Sequence, residues 1–414
     1  MKETKGLLKK QEKVRAGAYL AIIVLLCAAS WLSICGCDRQ SEPIGDGNQS
    51  KTDFQNSWYA QGSHRIFTES EEHYYFIAYT GGQAFLYFAD KEAMEPHPLC
   101  KREGCLHEEE PDFDKRKQCD AFIDEGAQYA CINFADGYLY LLSALGNSSC
   151  LVRIDEKTGE RTALYWLDRT TGSNAAVHRG YLYTAVTTKS NVNYNISQIW
   201  RHSLEKKESE LLCEIPTAAS SSNELKAFKE SLYIRGINLD ELNQTVYYRL
   251  DLDTGEQEML KPFDGETGVD LAFCQDSILF GAVPIDDRER WNESSMDLYV
   301  IGSANGEESG NAGRSGSTVY QPFTADQNYF YQWNTLLGER SLSGRELTIY
   351  DAQGKQVDSL SIEALDILSV YVGPGENVFL TDIGFGEANT YYYFPKSEIG
   401  SGRITPRLFF KGIS

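Results

Sequence analysis

Tyr138-Leu139-Tyr140, Tyr181-Leu182-Tyr183 and Ser231-Leu232-Tyr233 decide the fold. Each is a short aromatic and aliphatic run, too brief for a helix and built from residues that suit strands. A second run follows each and ends in a polar turn. Leu151-Val152-Arg153-Ile154-Asp155 meets Lys157-Thr158-Gly159, and Tyr247-Tyr248-Arg249-Leu250-Asp251 meets Asp253-Thr254-Gly255. Working outward, the doublets end at Tyr75, Tyr140, Tyr183, Tyr233, Phe280, Tyr331 and Phe379, at intervals of 43 to 51 residues after a first interval of 65. A period of about 40 to 50 residues made of short strands marks a β-propeller, one repeat per blade. The sequence therefore predicts an all-β, seven-bladed β-propeller with little helix.

The turn chemistry agrees. In Asp-x-x-Thr-Gly the Asp side chain accepts from turn amides, and Gly takes the left-handed conformation that other residues resist. Asp251-x-Asp253-x-Gly255 reads as such a turn rather than a calcium loop, for which it lacks the further oxygen ligands and distal Glu. The doublets fit inner strands packed on both faces by neighbouring blades. The last repeat ends near Phe410, and residues 58–67 are expected to add a strand to the final blade and so remove an exposed edge. Residues 302–317, rich in Gly, Ser and Asn, read as a surface loop.

The N-terminus predicts where the chain resides. Lys2, Lys5, Lys9, Lys10, Lys13 and Arg15 precede an uncharged apolar run, and Ile34-Cys35-Gly36-Cys37 closes it. A basic segment, an apolar core and a small residue before Cys describe a lipoprotein signal peptide over residues 1–36, with Cys37 as the lipidated residue. An uncleaved anchor is the other reading of that run, which approaches the roughly 20 residues that span a bilayer. Residues 37–55 are polar and read as a flexible tether. Residues 56–414 form the propeller domain, with an insert at about 98–122. Either reading of the apolar run leaves this domain outside the cytoplasm and attached to the cell membrane.

The formal net charge is −21, and residues 1–36 carry six of the cations and two of the anions, so the remainder stands at −25. Such a surface excludes nucleic acid as a partner and disfavours docking on anionic headgroups. Twenty-five Tyr against four Met suit aromatic packing between sheets.

One local feature carries chemistry, and it falls inside the long first interval. Pro98-Leu99-Cys100-Lys101-Arg102-Glu103-Gly104-Cys105-Leu106-His107 is followed by Cys119-Asp120-Ala121-Phe122. Cys100, Cys105, His107 and Cys119 compose a Cys3His set, the soft-donor arrangement of a closed structural zinc site. Outside the cytoplasm, a disulfide between two of the three thiols is the competing state, and free thiols are the third. Seven Cys follow Cys37, an odd number, so at least one lacks an intramolecular disulfide partner. Cys131, Cys150, Cys213 and Cys274 lie in apolar strand contexts and read as small buried hydrophobes.

With this insert, the chain resembles uncharacterised TolB-like β-propeller lipoproteins of anaerobic, mostly Gram-positive gut bacteria. Leu99, Cys100, Cys105, His107, Cys119, Ala121 and Phe122 carry the likeness, together with the lipobox and the repeats. The resemblance implies architecture and location and supplies no activity.

No Gly-x-Ser-x-Gly elbow, phosphate-binding glycine loop or His-Glu-x-x-His occurs. Of the remaining His, His64, His73 and His97 flank the insert, while His178 and His202 stand alone and read as structural. Two functions follow as expectations. The first is a non-catalytic module binding a protein, peptide or glycan, or serving as a scaffold, through loops that converge on one face. The second is a propeller enzyme, a glycan lyase or hydrolase, with acidic residues and His facing the channel.

Overall fold

Each of the seven doublets forms the second strand of its own antiparallel sheet in a computed structural model of the chain: His73–Thr80, Tyr138–Leu145, Tyr181–Ser190, Ser231–Ile237, Ser277–Pro284, Tyr329–Thr335 and Asn377–Asp382. The structure describes residues 59–412 except 61–62, 65, 81, 124–129, 146–147, 169–174, 191–192, 219–223, 242–243, 261–265, 276, 285–296, 303–307, 315–322, 336–343, 366, 368 and 383–388. The signal peptide, Cys37 and the tether lie outside the described residues. Tyr75, Tyr140, Tyr183, Tyr233, Phe280, Tyr331 and Phe379 are all buried, as strands packed on both faces require.

The chain is an all-β propeller, but its sheets are not seven of one kind. Among the described residues, six are four-stranded meanders, within residues 131–168, 175–218, 225–260, 266–314, 323–361 and 369–411 in turn. The first repeat departs from this pattern. It is a five-stranded sheet within residues 67–123, because its outer edge is shared between two short strands, Pro96–Pro98 and Phe122–Ile123. The regular count is therefore six blades rather than seven, and the Cys/His insert is the physical reason for the exception.

The hairpins behave as their sequences demand. Asp155 Oδ1 accepts from Thr158 N at 2.6 Å and Thr158 Oγ1 at 2.9 Å, and Gly159 closes the turn at φ +70°. Asp251 Oδ1 likewise accepts from the amides of Asp253 and Thr254, at 3.0 and 2.7 Å. That oxygen is committed to the turn.

Two expectations fail. Residues 58–67 do not extend the final blade. Tyr59–Ala60 pairs with Ser63–His64 as a small hairpin, Phe67–Glu69 pairs with Tyr74–Phe76, and the last sheet takes all four strands from residues 369–411. Side chains hold this seam instead. The Phe67 ring lies 4.3 Å from Phe379 and 4.6 Å from Tyr371, Tyr74 lies 4.8 Å from Phe379, and Tyr87 lies 4.7 Å from Phe410. Buried aromatic area replaces ladder hydrogen bonds. The second failure is the Gly- and Ser-rich loop, since Glu308–Arg314 forms the fourth strand of its sheet. An outermost strand needs backbone pairing on one side only, so composition is a weak guide there.

Buried charges link neighbouring sheets. The Lys226 ammonium lies 2.9 Å from Glu224 and also pairs with Asp270 of the next sheet. Asp326 pairs with Lys396 of the last sheet at 2.8 Å and accepts from Tyr331 Oη at 2.8 Å. Glu69 pairs with Lys91 at 2.5 Å and accepts from Gly375 N of the last sheet at 3.1 Å.

Candidate metal centre

The insert begins as an interruption of one strand. Along the third strand of the first sheet, Gln83–Asp90, the residues Tyr87, Phe88 and Ala89 pair with Pro98, His97 and Pro96, while Ala84 and Phe85 pair with Ile123 and Phe122. Leu86 stands between them. Its carbonyl accepts from Leu99 N at 2.7 Å, and its N–H donates to Ala121 O at 2.8 Å. One ladder thus continues across both short strands, and residues 100–120 leave it and return at the same point. Such an excursion has adjacent ends and little core of its own, so something must fasten its base.

Local structure aims the donors at that base. Cys105 follows a tight turn in which its N–H donates to Arg102 O at 3.3 Å and Gly104 takes φ +69°. His107 itself holds φ +51°, an uncommon conformation for a non-glycine residue that recurs where function constrains the backbone. Asp112 caps the single helical turn Phe113–Arg116 by accepting from Asp114 N at 3.0 Å. The Arg116 guanidinium returns to Glu110 O, and Cys119 N donates to Arg116 O at 2.9 Å. Arg102 clamps the two arms through Gln118 O at 3.0 Å and Gln118 Oε1 at 2.9 Å. Beneath, Phe113 meets Phe122 edge-on, and Phe122 meets Phe85, at 6.0 and 5.6 Å.

The sulfurs of Cys100, Cys105 and Cys119 and a ring nitrogen of His107 all lie within 4.8 Å of one another. His107 Nδ1 is 3.5 Å from Cys119 Sγ. A tetrahedral zinc with Zn–S near 2.3 Å and Zn–N near 2.05 Å sets N···S edges of about 3.6 Å and S···S edges of about 3.8 Å. The donors therefore fit the ion by type, number and spacing. None of the three thiols is in a disulfide, nor is Cys131, Cys150, Cys213 or Cys274. Cys119 is 5% exposed. Burial, and then the adjacent Cys105 and Cys100, push its thiol up to about 12. A bound dication inverts that balance, because a coordinating thiol is deprotonated outright.

Three other histidines are engaged elsewhere. His73 Nδ1 lies 3.3 Å from Glu156 of the second sheet. His178 Nε2 lies 2.6 Å from Lys229 O. His202 is buried between Thr184 Oγ1 and Ser209 Oγ, at 3.0 and 2.8 Å, and burial lowers it to about 4. The structure brings together the four residues that the sequence singled out, Cys100, Cys105, His107 and Cys119, and adds surroundings the sequence did not suggest, namely Asp120, Lys101 and Arg161. Nor did the sequence suggest Glu224 and Lys226, although a charge within the inner strand Leu225–Phe228 and another just before it were a usable signal.

No protein-family model matches the chain, and no curated protein does. Among solved structures, an oligogalacturonate lyase from Vibrio parahaemolyticus is similar with a TM-score of 0.51 at 11% identity, covering 84% of this chain and 93% of that one. An oligogalacturonate lyase in complex with manganese gives 0.50 at 10% identity, covering 83% and 91%. TolB from Acinetobacter baumannii gives 0.40 at 11% identity, covering 69% of this chain and 62% of TolB. Likeness at such identity shows the propeller fold alone.

Proposed function

We propose that this chain is a membrane-anchored, extracytoplasmic propeller lipoprotein, acylated at Cys37, that acts as a non-catalytic protein- or glycan-binding module and carries a structural zinc ion on Cys100, Cys105, His107 and Cys119. The reading rests on one observation: four soft donors from both ends and the middle of a strand-interrupting insert converge within 4.8 Å. Four protein ligands leave no open position for water or substrate, so the ion fastens structure instead of activating a reactant. Its contribution would be to hold the thiolates together; the residues of the insert supply the rest through the Arg102 clamp and the Asp112 cap.

The paired inner charges tie neighbouring sheets of the propeller together. Glu69, Glu224, Lys226, Asp270 and Asp326 are buried and engaged with partners. Groups so committed join neighbouring sheets, and burial raises the Asp270 carboxyl to about 7. In this reading the five-stranded sheet takes the seventh place in the ring. It packs on the last sheet through Phe67 and on the second through Tyr75, whose Oη donates to Glu156 at 2.8 Å.

Elemental analysis of the purified chain should give one zinc per molecule, with three thiols that react only after chelation. A metal-free protein with two of those thiols already oxidised would replace zinc by a disulfide. Fatty-acid labelling should disappear in Cys37→Ser. Binding to peptidoglycan, glycans or peptides without turnover is the expected outcome of a parallel screen, whereas cleavage of any glycan would establish the enzyme instead.

A further inference from the structure

Resting on the zinc reading above, we propose that Arg161, on the outer strand of the second sheet, is a positioning residue of the centre that balances its charge and ties the loaded insert to the neighbouring sheet. Arg161 Nη2 donates to Asp120 O, one residue beyond the ligand Cys119. Leu86 holds Ala121 O, so the return arm is gripped on successive carbonyls by two different sheets. A second bridge runs parallel. Lys101, next to the ligand Cys100, donates through Nζ to Lys157 O at 2.7 Å, in the turn that leads into Arg161.

The charge balance makes these cations useful. Zinc with three thiolates and a neutral imidazole carries one net negative charge. Asp120 adds another at close range, its Oδ2 lying 3.9 Å from Cys100 Sγ and accepting from Lys101 N at 3.3 Å. Lys101 and Arg161 offset the two. Outer-shell partners of this kind orient ligands and tune affinity, typically by about 10- to 100-fold. Arg161 is exposed, so solvent screening places its effect at the lower end.

The test uses the purified chain loaded with zinc and titrated with a chromophoric chelator. Arg161→Ala should hold zinc about tenfold more weakly. Arg161→Lys should recover part of the loss. Arg161→Gln, which keeps bulk and an N–H donor, isolates the charge and should remain weakened. Arg153→Ala is the control; Arg153 stacks on Tyr138 at 4.5 Å and should leave zinc affinity unchanged. Hydrogen exchange in residues 156–161 should slow on zinc loading in the wild type and not in Arg161→Ala. Wild-type affinity in folded Arg161→Ala and Arg161→Gln overturns this proposal while leaving the zinc reading intact. A wild-type chain that takes up no zinc under reducing conditions overturns both.

Discussion

The chain breaks its repeat in two places, and it mends them by opposite means. At the seam between the first and last sheets, many rings and a few polar contacts share the work: Phe67 alone lies within ring-contact range of Tyr74, Phe76, Tyr371, Phe379, Tyr391 and Phe409. At the split strand, four Cys and His side chains converge within 4.8 Å at the base of an excursion of 21 residues. A distributed contact loses stability in fractions. A site closed by one ion is loaded or it is not, because the ligand free energy is the folding free energy of the part it closes.

The largest expected effect therefore belongs to the insert. Chelation, or Cys119→Ser, should abolish zinc binding and open residues 100–120 to protease, with fragments mapped by mass spectrometry, while far-UV circular dichroism of the sheets changes little. An insert equally resistant with and without metal would erase the contrast between the two repairs.

The seam should respond by degrees. Phe67→Ala removes a buried ring and should cost about 3–5 kcal/mol in urea unfolding of the whole domain. It should leave zinc affinity as it was. A loss below about 1 kcal/mol would mean that the ring-to-ring packing does not hold the first sheet to the last.

A regular blade supplies the reference between these extremes. Burial holds the His202 imidazole at about 4, below its ordinary 6.5, so the folded state favours the neutral ring. Stability from this group is complete above pH 6.5 and is lost as pH falls toward 4, where the unfolded chain binds the extra proton. His202→Gln should remove roughly 2–3 kcal/mol of the acid-side slope. Denaturation midpoints at pH 7 and pH 4.5 in both proteins measure it, and parallel slopes would count against a buried neutral ring.

The sequence disclosed these regions unequally, for physical reasons. A period is written in side-chain type, so all seven doublets fell in second strands, and Asp155 and Asp251 sat in the turns their neighbours predicted. Ring closure is a relation between distant ends. A strand such as Phe67–Glu69 carries the same pattern whether it joins the last sheet or lends it one ring. Cys100, Cys105, His107 and Cys119 were legible as a set because they fall within 20 residues of one another. Arg161 was not, since it reaches Asp120 from another sheet, 41 residues along the chain.

The smallest effect tests how tightly the seam's polar part is built. A Cβ on Gly373 would lie 1.8 Å from Glu69 Oε1, and one on Gly375 would lie 2.1 Å from Glu69 Oε2. A free glutamate would swing aside at little cost. This one is 7% exposed, paired to Lys91 and bonded to Gly375 N, so moving it breaks an ion pair in a closed space. Gly375→Ala should then cost about 1–3 kcal/mol, the range for overpacking a filled site. Glu69→Ala should cost a similar amount by leaving Lys91 without its buried partner. The double variant, which removes the obstacle and the carboxylate together, should cost clearly less than the two singles combined. Simple additivity would show that the glycine and the carboxylate do not share one space, and that the seam depends on its rings alone.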